Sequence, residues 1–268
     1  MDAALGTPQR SEFDRRGVVT AEFATINDIE TKALWAWPPI ELAACHGWIM
    51  RAGEGHTNRA NSVQTLAFDS TAIDAAIDQV ETWYQARNLR PCFKICSAVL
   101  PASLPEQLAD RGYQIITPSD VMVLPLDHAA DADGQIDLQS RPSPAVMNVM
   151  MGGASSESRA ARARLLARIK KPAIYALLSI NDLPVATGMA VLDDDIGTIA
   201  GMTVAPEHRR YGYGRQILGR LCAWLTSMGA STATLQVEQD NLPACRLYRT
   251  AGFRTIYDYR YLKRTLQR

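Results

Sequence analysis

The segment Thr203 to Leu221, TVAPEHRRYGYGRQILGRL, combines residue types that bind phosphate. A strand-like run reaches Pro206 and passes through a basic, glycine-containing stretch into a helical period. A helix N-terminus offers N–H groups without intrahelical acceptors and the positive end of the peptide dipole. Gly212 and Gly214, flanked by Tyr211 and Tyr213, allow close backbone approach and positive φ, while Arg209, Arg210 and Arg215 add charge. Together these make a candidate pyrophosphate cradle. Two other phosphate loops do not fit. A Walker loop needs GxxxxGK followed by Ser or Thr, and a dinucleotide fingerprint needs glycine where Ile217 stands.

A second patterned segment lies downstream, NLPACRLYRTAGF from Asn241 to Phe253. Asn241 is a candidate N-cap, Pro243 suits a first helical turn, and Gly252 suits a stop. Arg209-x-x-Gly212-x-Gly214, placed after Val204-Ala205-Pro206, and the in-register set Asn241, Ala244, Tyr248, Gly252 and Phe253 resemble the GNAT superfamily of acyl-CoA N-acyltransferases. The resemblance covers roughly residues 135 to 268. It implies acetyl transfer from acetyl-CoA, as cosubstrate, directly to an amine. It implies that strands over Ile196 to Val204 and Thr232 to Glu238 splay around the pantetheine arm. Backbone groups of Met202, Thr203 and Val204 would then pair with the arm, which Asn241 and Ala244 would also line. Tyr248 would protonate the departing thiolate, a task that suits a phenol of pKa about 10. Glu238 is the candidate general base, directly or through water; its other reading is a solvated strand-end carboxylate. The rival function is an acyl-CoA-binding or sensing protein without turnover, against which Tyr248 argues. The acceptor amine, small molecule or peptide, is not specified.

These residues need a scaffold, and the C-terminal half has a legible one. Ala173 to Ile180, Val185 to Leu192, Ile196 to Val204 and Thr232 to Glu238 have strand character, and Tyr257, Tyr259 and Tyr261 alternate in a last strand. Asp193, Asp194 and Asp195 form a turn. Ile217, Leu218, Leu221, Trp224 and Leu225 recur at helical spacing over Tyr213 to Met228. Residues 157–171 predict a further helix, with Ala161, Leu165, Leu166 and Ile169 on one face. The arginines from Arg159 to Arg168 fill the rest, as a solvated face or, in the second reading, for recognition of an acidic acceptor.

The N-terminal half echoes this order. Val63 aligns with Val204 and Trp83 with Trp224 at an offset of 141, and RGY at 111–113 aligns with AGF at 251–253 at 140. The chemistry is not repeated. Ser70, Thr71 and Ile73 stand for Tyr211, Gly212 and Gly214, Asp69 stands for Arg210, and Leu108 stands for Tyr248. The fold class expected is α/β with a mixed sheet (α+β). It comprises two tandem GNAT-like domains, each a mostly antiparallel twisted sheet flanked by helices. Residues 17–127 form the degenerate domain without a CoA motif and 132–268 the catalytic one. The run 127–135 is the linker, and the two prolines of RPSP at 141–144 are expected to block regular pairing after the strand-like IDLQ. Trp35, Trp37 and Trp48 either pack the core or domain interface, or line an acceptor pocket.

Composition removes other classes. Lys plus Arg and Asp plus Glu are 28 each, so the chain lacks the basic excess that nucleic-acid binding needs. No apolar run is long enough to span a membrane, and the polar start lacks a signal-peptide core, so a cytoplasmic protein is expected. Five irregularly spaced cysteines suggest reduced thiols. Cys92 and Cys96 have no second ligand pair nearby, so no metal is expected. His46, His56 and His128 have no identifiable partner, and His208 belongs to the phosphate loop. A homodimer is compatible with the sequence.

Overall fold

A computed structural model describes residues 23–126 and 136–264. The expected linker at 127–135, with His128, and the expected loose tail over the first sixteen residues lie outside them. The chain opens with α1 (Phe23–Ala36), β1 (Glu41–Cys45), β2 (Trp48–Ala52) and β3 (Val63–Gln64). It continues through α2 (Ile73–Gln85), β4 (Cys92–Cys96), α3 (Leu104–Asp110) and β5 (Tyr113–Pro125). The second half has β6 (Ile136–Gln139), α4 (Pro144–Met150), α5 (Ser156–Leu166), β7 (Ala173–Ile180), β8 (Leu183–Asp193) and β9 (Ile196–Val204). It ends with α6 (Tyr213–Ser227), β10 (Thr232–Glu238), α7 (Leu242–Thr250) and β11 (Arg254–Arg264).

The sequence predicts one sheet per half; the described residues form one mixed sheet of eleven strands, in the order β1-β2-β3-β4-β11-β5-β10-β9-β8-β7-β6. The two halves exchange their last strands. β5 leaves the first half to pair antiparallel with β10, from Thr232↔Pro125 to Glu238↔Ser119. β11 leaves the second half to pair antiparallel with β4, from Tyr259↔Cys96 to Lys263↔Cys92. β5 and β11 pair with each other between them. β3 with β4 and β9 with β10 are parallel pairs. Each half therefore repeats strand, helix, parallel strand, helix, strand, and the last strand of each completes the sheet of the other.

Side-chain period explains which face each helix covers. In α6, Ile217, Leu218, Leu221, Cys222 and Leu225 are buried against the second-half sheet, together with Tyr248 and Phe253. In α2, Ala76, Ile77, Val80 and Tyr84 cover the first-half strands. The helix α1 crosses between halves. Its end, Ala36 and Trp37, packs into one cluster with Val146, Leu165, Leu166 and Met189. All five cysteines are free and buried.

One local expectation changes. The helix expected over 157–171 ends at Leu166, ahead of Pro172. Strand pairing ends with β6 at Gln139, ahead of RPSP, and Pro144 opens α4, where the Ser143 hydroxyl accepts a 3.3 Å hydrogen bond from the Val146 N–H. Proline is favourable there because a first-turn residue has no intrahelical use for its N–H. Among the described residues, no helix is long and apolar enough to cross a membrane.

Candidate active site

The parallel pair β9/β10 opens midway. Its register runs from Thr232↔Ile196 to Leu235↔Ile199 and stops there, although β10 continues to Glu238 and β9 to Val204. A bulge in β9 sits at the opening. Thr187 pairs with Thr203 and Met189 with Ala200, so Gly201 and Met202 together face Gly188. Gly201 takes φ +65°, and a Cβ there would meet Met150 Cε at 2.8 Å. A bulge bends and twists its strand, which turns the end of β9 away from β10.

One side of this opening is a groove of about 1070 Å³. It is lined by Met202, Thr203 and Val204 of β9 and by His208, Arg209, Arg210, Gly212, Tyr213, Gly214 and Arg215 ahead of and within α6. From α7 and its cap come Asn241, Leu242, Pro243, Ala244, Arg246, Leu247 and Tyr248. Gly212 is the N-cap of α6, at φ +84° and ψ 0°. Gly214 differs from expectation. It lies within α6, and its missing side chain serves packing, since a Cβ would come within 3.3 Å of Leu247 Cδ2. Positive φ falls instead on Arg210, at +70°. Tyr211 does not line the groove; it is 68% exposed and stacks on Tyr213 with ring centroids 5.8 Å apart. The Asn241 side chain caps α7, accepting from the Ala244 N–H at 3.3 Å. The groove is thus rich in arginine and in first-turn N–H groups, an arrangement suited to an extended anion.

The other side is a cavity of about 370 Å³. Met202, Asn241, Ala244 and Tyr248 belong to both linings, so Tyr248 stands where groove and cavity meet. Burial pushes its phenol up to about 12, opposed by the nearby Arg59 charge. Glu238 is exposed, lies outside the groove and lines the cavity. The rest of the lining comes from both halves. It includes Trp37, Asn58 and Arg59 of the first and Arg162, Gln236, Tyr259 and Tyr261 of the second.

The sequence did not single out Arg59, Tyr259 or Tyr261 for this site, and treated Arg162 only as one of a run. Arg162 had a signal: it precedes Leu165 by three residues and Leu166 by four, which puts it on the buried face of α5. Its neighbours behave as a surface. Arg164 pairs with Glu54, Arg159 bonds Asn148, and Arg168 donates to the Pro39 carbonyl. Arg59 sits on the turn Asn58–Ala60, which no local pattern marks. That turn is held by Asn61, whose side chain bonds the Thr57 carbonyl at 2.7 Å and the Gly53 N–H at 2.7 Å. Of the tryptophans, Trp37 lines the cavity, Trp48 is core, stacked on Phe68, and Trp35 is 43% exposed. His46 lies 3.7 Å from Asp69, and His56 contacts Ser158. Asp193 and Asp195 pair with Lys171 and Lys32 around their turn.

The chain is similar to known acetyltransferases over most of its length. The family described as "Probable histone acetyltransferase Rv0428c C-terminal" matches residues 23–262. The protein named "Uncharacterized N-acetyltransferase YobR" of Bacillus subtilis (strain 168) is 28% identical over 243 residues, covering 88% of this chain and 97% of that one. The fold is shared with a GCN5-related N-acetyltransferase from Kribbella flavida, at TM-score 0.67 and 15% identity, covering 91% of this chain and 96% of that one. It is also shared with a tandem GNAT protein from the clavulanic acid biosynthesis pathway, at TM-score 0.61 and 12% identity, covering 88% and 87%. The chain belongs to the family described as probable histone acetyltransferase Rv0428c C-terminal, within the GNAT N-acetyltransferases, and is an acyltransferase.

Proposed function

We propose that this enzyme transfers an acetyl group from acetyl-CoA directly to an amine, and that residues 17–127 are a degenerate GNAT-like unit which shapes the acceptor site. The observation that carries the reading is the junction at Met202, Asn241, Ala244 and Tyr248, where an anion-suited groove meets a separate cavity. The groove fits an extended, phosphorylated ligand. Gly212 holds the left-handed turn ahead of α6, and Arg209, Arg210 and Arg215 surround the exposed N–H groups. Bound acetyl-CoA supplies an acyl thioester open to attack and a thiolate to leave.

The chain's own residues divide the remaining work. Met202, Thr203 and Val204 present backbone groups that β10 no longer faces, which suits them to hold the ligand's amides. Asn241 and Ala244 close the opposite wall. Tyr248 carries its proton at neutral pH as any phenol does, and burial, which disfavours the phenolate, holds it more firmly. Its position where groove and cavity meet supports a role in giving that proton to the leaving group. Glu238 shares the cavity and is the candidate to take a proton from the amine, directly or through water.

Calorimetry with acetyl-CoA and a thiol-release screen of amines test the reading. One site per chain and acetyl-CoA-dependent N-acetylation are expected. Two equivalent sites, or binding without acetylation of any small amine or lysine peptide, would favour the sensing alternative.

A further inference from the structure

Resting on the acetyl-transfer reading, we infer that the acceptor is a small molecule carrying a carboxylate as well as its amine, and that Arg59 and Arg162 hold the carboxylate. Both guanidiniums approach the same ring, with Cζ atoms 5.9 Å and 4.5 Å from the Trp37 centroid. Arg59 spends one N–H on the Gln236 carbonyl, at 3.0 Å. Among the described residues, neither guanidinium has a carboxylate partner within 4.0 Å, whereas Arg87, Arg111, Arg164 and Arg264 each do. Two like charges in one half-buried pocket repel unless an anion joins them. The state of Arg162 reflects this: burial first, and then the Arg59 charge, push it down to about 10, still a cation at neutral pH.

The wall beside the guanidiniums holds two further polar groups. Among the described residues, the Tyr261 hydroxyl, on a residue 3% exposed, and Trp37 Nε1, on a residue 6% exposed, have no hydrogen-bond partner, and both atoms are sealed from solvent. Both residues line the cavity. Buried polar groups are rarely left unpaired, and an indole N–H can only donate, so it asks for an acceptor atom. The two guanidiniums at one cavity match the two oxygens of a carboxylate.

The acceptor's amine has its own place. Glu238 lies two residues beyond Gln236 on β10, about 7 Å along an extended strand. Its carbonyl accepts from the Asn241 N–H that opens α7, the helix of Tyr248. Cation-binding and anion-binding groups therefore stand a small molecule's length apart, and the 370 Å³ cavity is of that scale. A strongly basic peptide would instead meet the two arginines as like charges.

The test compares matched acceptors with acetyl-CoA: L-phenylalanine against phenethylamine, L-leucine against isopentylamine, and 4-aminobutyrate against propylamine, beside phosphoethanolamine and a lysine-rich peptide. The acid member of at least one pair should be favoured at least about tenfold in kcat/KM. Arg59→Met and Arg162→Met should each reduce that preference toward parity by raising KM more than they lower kcat. Parity in the wild type, or preference for the decarboxylated amines, the phosphate or the peptide, would overturn the proposal. A readout without turnover runs in parallel, calorimetry with hydrocinnamate and its neutral amide. The acid should bind more tightly, and both variants should lose the difference; equal binding overturns the proposal even where no amine in the panel reacts. Acetyl-CoA calorimetry on the same proteins separates the two ideas. Loss of that binding in the wild type defeats the acetyl-transfer reading, whereas its retention with no carboxylate preference defeats only this one.

Discussion

Arg59 donates a 3.0 Å hydrogen bond to the carbonyl of Gln236, 177 residues away. Gln236 is the first residue of β10 beyond its last pair with β9, so the bond falls where the parallel ladder ends. A buried carbonyl left without a ladder partner is costly, by about 1–3 kcal/mol. The first half of the chain thus supplies a donor at the point where the second half opens its groove. The same side chain lines the cavity next to the groove.

Gly212→Val should weaken acetyl-CoA binding at least about tenfold. The reason is backbone conformation. A Cβ at Gly212 meets nothing within 4 Å, but φ of +84° is a region that β-branched residues avoid at a cost of about 1–2 kcal/mol. The turn would relax and move the first N–H groups of α6. Titration calorimetry measures the loss, and unchanged affinity would remove Gly212 from the cradle.

Tyr248→Phe should lower kcat by about 10²–10⁴ while acetyl-CoA affinity changes little. The pH profile adds a second check. A general acid works while protonated, so its contribution is lost as pH rises through its pKa, here about 12. The wild-type rate should rise as the amine deprotonates and show no falling limb up to about pH 10. A falling limb below that pH which disappears in the variant would contradict the burial argument. Normal turnover in the variant, with chemistry rate-limiting, would make Tyr248 structural.

A fragment starting at residue 132 should not fold alone. It lacks β5, which pairs with β10 from Thr232 to Glu238, and its own β11 would lose both neighbours, β4 and β5. Exposed central strands aggregate or stay disordered. Circular dichroism and size exclusion should show unfolded or aggregated material, and co-expression with residues 1–131 should rescue it. A monomeric, folded fragment would show that the strand exchange is dispensable.

Glu30→Gln should cost about 3–5 kcal/mol by leaving a buried lysine without its counter-charge. Lys94 Nζ lies 2.6 Å from Glu30 Oε1, which also accepts from the Tyr257 hydroxyl at 2.9 Å. Both charged residues are buried, and Lys94 sits 3.9 Å from the Tyr259 ring centroid. Urea denaturation measures the loss. Glu30→Leu combined with Lys94→Met should recover part of it, since no charge is then stranded.

The residues whose roles depend on near neighbours were legible in order along the chain. The strands over Ala173–Ile180, Ile196–Val204 and Thr232–Glu238 have the bounds expected from apolar patterning. Asn241 caps α7 as its residue type requires. The motifs around Gly212 and Tyr248 line one groove because a strand, a turn and a helix start fix them locally. The bulge left a trace, a glycine at position 201 inside a strand pattern, and Arg162 left one in its spacing from Leu165.

The exchange of β5 and β11 between halves and the meeting of Arg59, Arg162, Trp37 and Tyr261 were decided only in three dimensions. Periodicity says which face of a strand is apolar, and nearly every strand at the middle of this sheet is apolar on the buried side. It does not say which of several compatible edges a strand will join, because that choice depends on the total area buried and on the ladder bonds completed. The cavity follows from that choice. With β5 and β11 crossing over, the two halves share one sheet, and groups 177 residues apart, the Arg59 guanidinium and the Gln236 main-chain carbonyl, come within hydrogen-bond distance.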